Sequence, residues 1–262
     1  MIYITGDTHA EFSKRLKKPL FSAEDGDCII ICGDFGGVWN GSAEERYWLD
    51  WLSSKPYKIL FIDGNHENFD MLSKLSLAEW NGGKVRFIRD NVIHLVRGQV
   101  YTLEGKTFFT MGGASSHDIS DGILEPDDPQ FYFKARRLDR QMALYRVNHV
   151  SWWEEELPSR EEYAEADRNL DAHDRVVDYI ITHCAPKTIH DIIGGGLYGT
   201  DGLVDYLETV YQSCSFGKWF FGHYHDDKRI GEKMVMLYEK IVRYDTLEEY
   251  RGNKERGRGR IS

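Results

Sequence analysis

Five short polar segments that could bind metal ions each follow an apolar run of the sequence. They are Gly6-Asp7-Thr8-His9, Gly33-Asp34, Gly64-Asn65-His66-Glu67, His183 and Gly222-His223-Tyr224-His225. Asp7 and His9 are two residues apart, as are His223 and His225, and in an extended chain such side chains point to the same side. Each pair could therefore bind one metal ion, or give one ligand to each of two adjacent ions.

The chemistry of the candidate ligands indicates the kind of metal site. They comprise carboxylates, imidazoles and one amide: Asp7, His9, Asp34, Asn65, His183, His223 and His225. This set suits Mn²⁺, Fe or Zn²⁺ and disfavours a structural zinc site, which would use cysteine. Seven ligands are too many for one open catalytic ion. They fit two ions about 3.5–4 Å apart that share a carboxylate, as in hydrolytic two-metal sites.

The apolar runs before these segments predict strands, and the amphipathic stretches between them predict helices. In the first 110 residues the predicted strands and helices alternate, at 1–5, 11–18, 27–32, 43–53, 57–62 and 68–75. This alternation predicts βαβ units and a mostly parallel sheet. Loops at the carboxyl ends of parallel strands meet in one crevice, so we expect the five polar segments to come together there.

The rest of the chain predicts further strands, an irregular segment and a tail. Short apolar runs from Val85 onward predict a second sheet or an antiparallel edge, with a hairpin turn at Glu104-Gly105-Lys106.

We interpret the region near 117–149 as an insertion, and an ordinary surface loop with a helix is favoured over a cap on the site. Ser159-Arg160-Glu161-Glu162 resembles a capping box and predicts a helix start. We expect one domain over 1–250 and a basic, disordered tail over 251–262.

The composition is typical of a soluble globular protein, with 41% apolar and 29% charged residues. No apolar run approaches the roughly 20 residues of a membrane span. The N-terminus has no basic region followed by an apolar stretch, so we expect a cytoplasmic protein without membrane contact. The four cysteines lack the close spacing of zinc or redox motifs, which indicates reduced, buried thiols.

The charge of the chain restricts its partners. The net charge is −10, and the last twelve residues carry +4, which leaves −14 for the rest. So acidic a body does not generally attract a nucleic-acid backbone. Binding of an anionic substrate would therefore need a positive electrostatic potential at the site, and bound metal ions are the obvious source of it.

The motifs GDTHA, GDFGG, GNHE, THCAP and GHYH, in this order between Gly6 and His225, resemble the calcineurin-like metallophosphoesterase superfamily. Each motif alone is weak, and the five in series are specific. The resemblance implies an α/β fold, a four-layer αββα sandwich of two mixed sheets flanked by helices. It also implies a dinuclear metal site at the carboxyl ends of the strands.

The resemblance further implies a role for each motif residue. The ligands of the first metal ion would be Asp7, His9 and His225. Those of the second would be Asn65, His183 and His223, and Asp34 would bridge the two ions. A hydroxide bridging the ions would attack phosphorus in line, and His66 would protonate the leaving oxygen or hydrogen-bond phosphate. We expect two divalent ions, with Mn²⁺ ahead of Fe and Zn²⁺.

The second motif departs from that of many relatives. They extend it to an Asp, often followed by Arg, where this sequence has Asp34-Phe35-Gly36-Gly37-Val38. In those relatives the Asp would orient the motif histidine and raise its pKa, and the Arg would hold phosphate. Gly37 therefore leaves His66 without the usual support for an acid role, and a close relation to the serine/threonine protein phosphatases is not expected.

Other functions fit parts of the sequence. An interaction scaffold that binds metal but has lost catalysis would explain the altered second motif, but this chain keeps its full ligand set. A nuclease subunit of the same fold would retain the chemistry, but the acidic body argues against it. For an enzyme, the substrate is a phosphate mono- or diester whose identity the sequence leaves open.

A few residues outside the motifs also carry expectations. His94 is predicted to be structural, and His117 is expected to lie away from the crevice although it follows a glycine- and serine-rich loop. Gly194-Gly195-Gly196 is interpreted as a flexible connection. The adjacent Trp152 and Trp153 are expected to anchor a helix to the core.

Overall fold

Two central β-sheets with helices on their outer faces make up the fold of this computed structural model, which describes residues 1–17 and 21–250. The strands are β1 (Ile2–Thr5), β2 (Cys28–Ile31), β3 (Lys58–Phe61), β4 (Leu77–Trp80), β5 (Gly83–Arg89), β6 (Val92–Leu95), β7 (Gln99–Leu103), β8 (Lys106–Met111), β9 (Ile123–Leu124), β10 (Arg146–Val147), β11 (Val176–Thr182), β12 (Ser215–Phe221), β13 (Lys228–Ile230), β14 (Met234–Met236) and β15 (Ile241–Arg243). The α-helices are α1 (Phe12–Leu16), α2 (Ala43–Ser53), α3 (Phe69–Ser73), α4 (Phe131–Gln141), α5 (Arg160–Asp171), α6 (Lys187–Gly194) and α7 (Gly202–Ser213).

Both large sheets have parallel strands in the centre and antiparallel strands at the edges. The first sheet has the order β15-β1-β2-β3-β6-β5-β4, with β1, β2, β3 and β6 parallel. The second has the order β13-β14-β12-β11-β8-β7, with β14, β12, β11 and β8 parallel. In each sheet the carboxyl ends of the parallel strands all lie on the same side, and this is the side on which α/β folds bind ligands.

The central strands are apolar throughout because both of their faces are covered. In β2, Ile30 belongs to the apolar cluster between the two sheets, whereas Ile29 and Ile31 belong to the cluster under α1, α2 and α3. In β12, Phe220 faces the other sheet, and Trp219 joins the cluster formed with α5, α6 and α7. Three apolar clusters thus separate four layers, and the predicted αββα sandwich is confirmed.

Local sequence signals place several element ends correctly. Glu104 and Gly105 join β7 to β8 with φ angles of 50° and 74°, as a two-residue hairpin turn with left-handed residues requires. Ser159 caps α5, and its hydroxyl and the Glu162 carboxylate satisfy each other's backbone N–H groups. The predicted helix over 68–75 is shorter, because Asn68 accepts a hydrogen bond from Met71 N and starts α3 at Phe69. The predicted helix over 11–18 is α1, and residue 18 lies outside the described residues.

Two elements have no clear sequence pattern. Strand β4 pairs only with β5 at the edge of the sheet, so its side chains are exposed or half-buried and lack an apolar run. Helix α6 ends at Gly194, and Gly195 caps it with a φ of 60°, a conformation that glycine adopts readily. The glycine run interpreted as a flexible connection is therefore in part a helix end.

The region 117–149, called the 117–149 segment below, contains β9, α4 and β10. Its two short strands pair with each other in a separate small sheet. That residues 1–250 form a single domain with an insertion stays a prediction, and the basic tail, 251–262, lies outside the described residues. None of the described helices has the length and apolar character needed to cross a membrane.

Candidate metal centre

The predicted ligands come together where strands of the two sheets end. Asp7, Asp34 and Asn65 lie two to four residues beyond β1, β2 and β3 of the first sheet. His183 follows β11 directly, and the segment with His223 and His225 follows β12 in the second sheet. The convergence expected from the parallel strands is therefore observed.

One group of ligand atoms is formed by Asp7, His9 and His225. The Nε2 atom of His225 lies 3.2 Å from Oδ2 of Asp7, and Nε2 of His9 lies 3.8 Å from the same oxygen. The two imidazole Nε2 atoms are 3.1 Å apart. One donor atom from each of the three residues falls within 4.8 Å of the others, close enough to bind one ion.

A second group lies deeper, around Asp34 and His183. The Nε2 atom of His183 is 3.4 Å from Oδ1 of Asp34 and 3.3 Å from Oδ1 of Asn65. The ring of His223 lies 4.9 Å from the ring of His183, measured between centroids. Asp7, Asp34 and His183 again offer three donor atoms within 4.8 Å, so Asp7 belongs to both groups.

The carboxylate of Asp34 lies between the two groups. Its Oδ1 faces His183 and accepts a hydrogen bond from the backbone N–H of His66 at 2.8 Å. Its Oδ2 faces Nδ1 of His9 at 3.8 Å. One oxygen of this carboxylate thus lies beside His183 of the second group, and the other lies beside His9 of the first group, on the Nδ1 side of its ring.

The site has a buried floor and an accessible rim. The side chains of Asp7, Asp34 and His183 are almost fully buried. In contrast, the His225 side chain is 51% exposed and that of His9 is 30% exposed. The imidazoles of His9 and His225 are therefore accessible from outside, whereas the carboxylates below them are shielded from water.

The tautomer of His183 is set by the backbone. Its Nδ1 atom lies 2.7 Å from the carbonyl oxygen of Cys32, to which an N–H on Nδ1 can donate. Nε2, the other ring nitrogen, points towards Asp34 and Asn65. Such a hydrogen bond behind the ring is the usual support of a metal-binding histidine.

The loops that carry the ligands are tightly turned. His9, Asp34, His223 and His225 all have left-handed backbone, with φ angles of 45°, 47°, 69° and 51°. The extended geometry assumed for the His223–His225 pair is therefore wrong: His225 joins Asp7 and His9, whereas the ring of His223 lies beside that of His183. At Gly64 the backbone lies so close to Asp34 that a Cβ at this position would collide with Oδ1 of Asp34.

Electrostatics link the buried ligands to one another. Burial alone would raise the pKa of Asp34, but His183, His66 and His9 outweigh it and hold that pKa well below its usual range. Burial would lower the pKa of His183, and Asp34 and Asp7 raise it instead. In the described part of the chain, every ion-pair partner of Asp7 and Asp34 is a histidine.

This donor set fits divalent metal ions. Two buried carboxylates without a lysine or arginine partner among residues 1–17 and 21–250 are costly unless a cation offsets them. Burial, together with His183 and His117, lowers the pKa of His223 well below its usual value. Carboxylate, imidazole and amide ligands are those that Mn²⁺, Fe and Zn²⁺ accept.

His66 lies beside the ligands at the edge of the site. Its ring is 5.4 Å from the ring of His9, and its backbone N–H donates to Asp34. Burial lowers the pKa of His66, and the attraction of Asp34 does not fully offset this. The acid role of His66 stays a prediction.

His117 was expected outside the crevice, and this expectation is wrong. Its Nε2 atom lies 2.8 Å from Nε2 of His223. Gly113, with a φ of 93°, turns the chain after β8 so that His117 reaches the site. The signal that could have identified it is the position of its loop, because β8 pairs parallel with β11, the strand that carries His183.

Two hydrogen-bonded groups behind the ligands hold them in place. Nδ2 of Asn65 donates to Oγ of Ser116 at 3.3 Å, and that hydroxyl donates to the buried Glu156 at 2.8 Å. Glu156 is thereby linked to the amide that is predicted to bind metal. Burial raises the pKa of Glu156 to about 7 despite its hydrogen bonds with Ser116.

The second group is a buried ion cluster at the end of β3. Asp63 lies 2.5 Å from a guanidinium nitrogen of Arg97 and 2.9 Å from Nε2 of His94, and all three side chains are buried. The Asp63 carbonyl oxygen also accepts from Gly113 N. The cluster thus connects the loop of Asn65 with the loop of His117.

The altered second motif has a structural explanation. A Cβ at Gly37 would collide with the ring of Phe35 and approach that of Phe12, so the aromatic packing leaves no room for a larger residue. The buried Glu67 stabilises this loop instead, since its carboxylate accepts from the N–H groups of Phe35 and Gly36.

Comparison with known proteins identifies the family. No curated protein matches the chain. The family model described as calcineurin-like phosphoesterase matches residues 1–227, a range that includes all seven predicted ligands. With most of its length matched, the chain belongs to the calcineurin-like phosphoesterase family, a family of metal-dependent phosphoesterases.

Proposed function

We propose that the protein hydrolyses a phosphate mono- or diester at a site that holds two divalent metal ions, with Mn²⁺ the first choice. The observation that carries this proposal is the position of Asp34, whose Oδ1 faces His183 and whose Oδ2 faces His9. Asp7, His9 and His225 would hold one ion. Asn65, His183 and His223 would hold the other, with Asp34 shared between them.

The ions would offset the charge of the phosphoryl oxygens and lower the pKa of a water molecule. The residues of the chain prepare the site for this. The Cys32 carbonyl orients His183, and Ser116 with Glu156 orients the Asn65 amide. His66 would donate a hydrogen bond to a phosphate oxygen or to the leaving oxygen, since it lies beside His9 at the accessible rim.

The test is turnover of p-nitrophenyl phosphate and bis-p-nitrophenyl phosphate by the full chain, first with chelator and then with Mn²⁺ restored. Nitrophenolate leaves without much acid assistance, so a weak His66 would not hide the activity. Turnover that depends on Mn²⁺ is the expected result, and the ratio of the two rates reports the preference for monoester or diester. Metal content measured by mass spectrometry should approach two ions per chain.

Asp25→Asn is a matched control for substitutions of the ligands, since Asp25 is exposed and lies outside the site. It should behave like the wild type in both assays. Two bound ions without turnover of either ester would contradict the proposal and favour the scaffold. A single bound ion with turnover would contradict only the two-metal part.

A further inference from the structure

Helix α4 in the 117–149 segment has an outward face that is both basic and aromatic. At 100° per residue, five exposed residues occupy one continuous arc of this helix. In order around the arc they are Tyr132, Arg136, Arg140, Phe133 and Arg137. Leu138 lies on the opposite side and is buried, so the helix is attached to the protein by its other face.

The two aromatic side chains of this face are open to solvent. Tyr132 is 79% exposed and Phe133 is 70% exposed. The ring contact of Tyr132 is with Phe131, its neighbour in the same helix. Large exposed rings that are grouped on one helix are a feature of binding surfaces rather than of ordinary surface helices.

The three arginines of the face have no ion-pair or hydrogen-bond partner within the described residues. Other cations of the segment are paired, since Lys134 contacts Asp128, and Arg146 makes two hydrogen bonds to Asp118 at 2.7 and 2.8 Å. Asp139 lies at the border of the arc, and its carboxylate accepts from the Tyr145 hydroxyl at 2.7 Å. Three unpaired guanidinium groups on one helix therefore form a positive patch on a protein with a net charge of −10.

We propose that this basic, aromatic face of α4 binds single-stranded nucleic acid. Guanidinium groups pair with phosphates in a fixed geometry, and exposed rings stack on unpaired bases of any sequence. From residue 132 to residue 140 the face extends about 12 Å along the helix. This matches about three nucleotides of a stacked strand, at about 3.4 Å each.

The arrangement of the face favours a nucleic acid over a membrane surface. A helix that lies on a membrane has its apolar residues on one side and its cations on the other. In α4 the exposed rings and the arginines are interspersed on the same side. A nucleic-acid strand has bases and phosphates next to each other, so it can contact the rings and the arginines at the same time, whereas a lipid surface cannot. The proposal goes beyond the phosphoesterase function and does not depend on it, because binding is measured without turnover.

The experiment measures binding of fluorescein-labelled oligo(dT) of 20 nucleotides to the full chain by fluorescence anisotropy. It is done in EDTA and again with Mn²⁺, at several salt concentrations. The triple variant Arg136→Gln, Arg137→Gln, Arg140→Gln should weaken binding at least about tenfold at 50 mM salt. Loss of three phosphate contacts should also lower the slope of log affinity against log salt by about 2. Tyr132→Ala with Phe133→Ala should weaken binding about fivefold or more through lost stacking.

The matched control removes the same charge elsewhere, by Lys74→Gln, Arg160→Gln and Lys228→Gln, all at exposed positions outside α4. It should keep most of the affinity. The basic tail is present in every variant, so it cannot explain a difference between them. Three results would overturn the proposal: no binding by the wild type at 50 mM salt, an equal loss in the control, or binding to phosphatidylserine vesicles or polyglutamate instead of the oligonucleotide.

Discussion

The metal centre and the 117–149 segment meet at His117 but are built in opposite ways. In the metal centre, polar side chains extend from the ends of buried strands, and the carboxylates of Asp7 and Asp34 lie beside His183 away from water. In the 117–149 segment the strands have two residues each, and the charged pairs are at least partly exposed. The side chains of the metal centre are thus held by the buried core, whereas the 117–149 segment is held by contacts at the protein surface.

This difference shows where the protein needs precise geometry. Ligands of a metal must stay within tenths of an ångström, and strands covered on both faces can hold them there. A surface that binds a flexible partner tolerates a less rigid support. Substitutions in and behind the metal centre should therefore have large effects, and those in the segment should have small ones.

The largest effect is expected for Asp34→Asn. The amide cannot serve both ligand groups as a charged carboxylate does, so turnover should fall by about 10³-fold or more, as expected from losing several kcal/mol of metal assistance. Circular dichroism should show an intact fold. Near-normal turnover would refute the bridging role of Asp34.

The next largest effect concerns the free energy of unfolding. Arg97→Met removes the main partner of the buried Asp63 carboxylate, which should destabilise the protein by about 3–5 kcal/mol. The measurement is urea unfolding at pH 7. A loss below 1 kcal/mol would mean that His94 alone can support Asp63.

The same pair predicts a dependence on pH. Burial would raise the pKa of Asp63, but Arg97 and His94 hold it well below the ordinary value of 3.8. The stability that Asp63 contributes is therefore present above about pH 4 and declines as the pH falls below it. Urea unfolding between pH 5 and pH 2.5 should show this decline in the wild type and a weaker one in Arg97→Met.

A smaller effect is expected for Glu156→Ala, which acts on Asn65 only through Ser116. Loss of such a supporting hydrogen bond typically lowers metal affinity or activity about 10- to 100-fold. Titration of the metal-free protein with Mn²⁺ measures the affinity directly. The exposed neighbour Glu154→Ala is the control, and an equal change in both variants would exclude a positioning role for Glu156.

The smallest effect is expected in the 117–149 segment. Asp118→Asn weakens the ion pair with Arg146, in which the Asp118 side chain is 46% exposed. Exposed pairs contribute about 0–1 kcal/mol, so urea unfolding at pH 7 should change by no more than this. A loss of 3 kcal/mol or more would show that the segment belongs to the same cooperative unit as the core, and the contrast between the two regions would fail.

The sequence predicts well which residues come together at the candidate site, and it predicts the 117–149 segment poorly, for one physical reason. Buried strands such as β2 have a strongly apolar sequence and can therefore be predicted. The residues that directly follow such strands must then lie at the strand ends. His117 was missed because Gly112 and Gly113 separate it from β8 by an irregular turn. Helix α6 was missed because eight residues beside a glycine run give little periodicity. Contacts between distant surface residues, such as Asp118 with Arg146, leave no local pattern at all.

The left-handed backbone at His9, Asp34, His223 and His225 has a consequence for the whole molecule. Each such residue stores about 1–2 kcal/mol of strain, which a glycine would not. The left-handed backbone therefore lowers the stability of the fold at this edge, and the same conformation orients the predicted ligands. Stability and activity are opposed here by the backbone conformation itself.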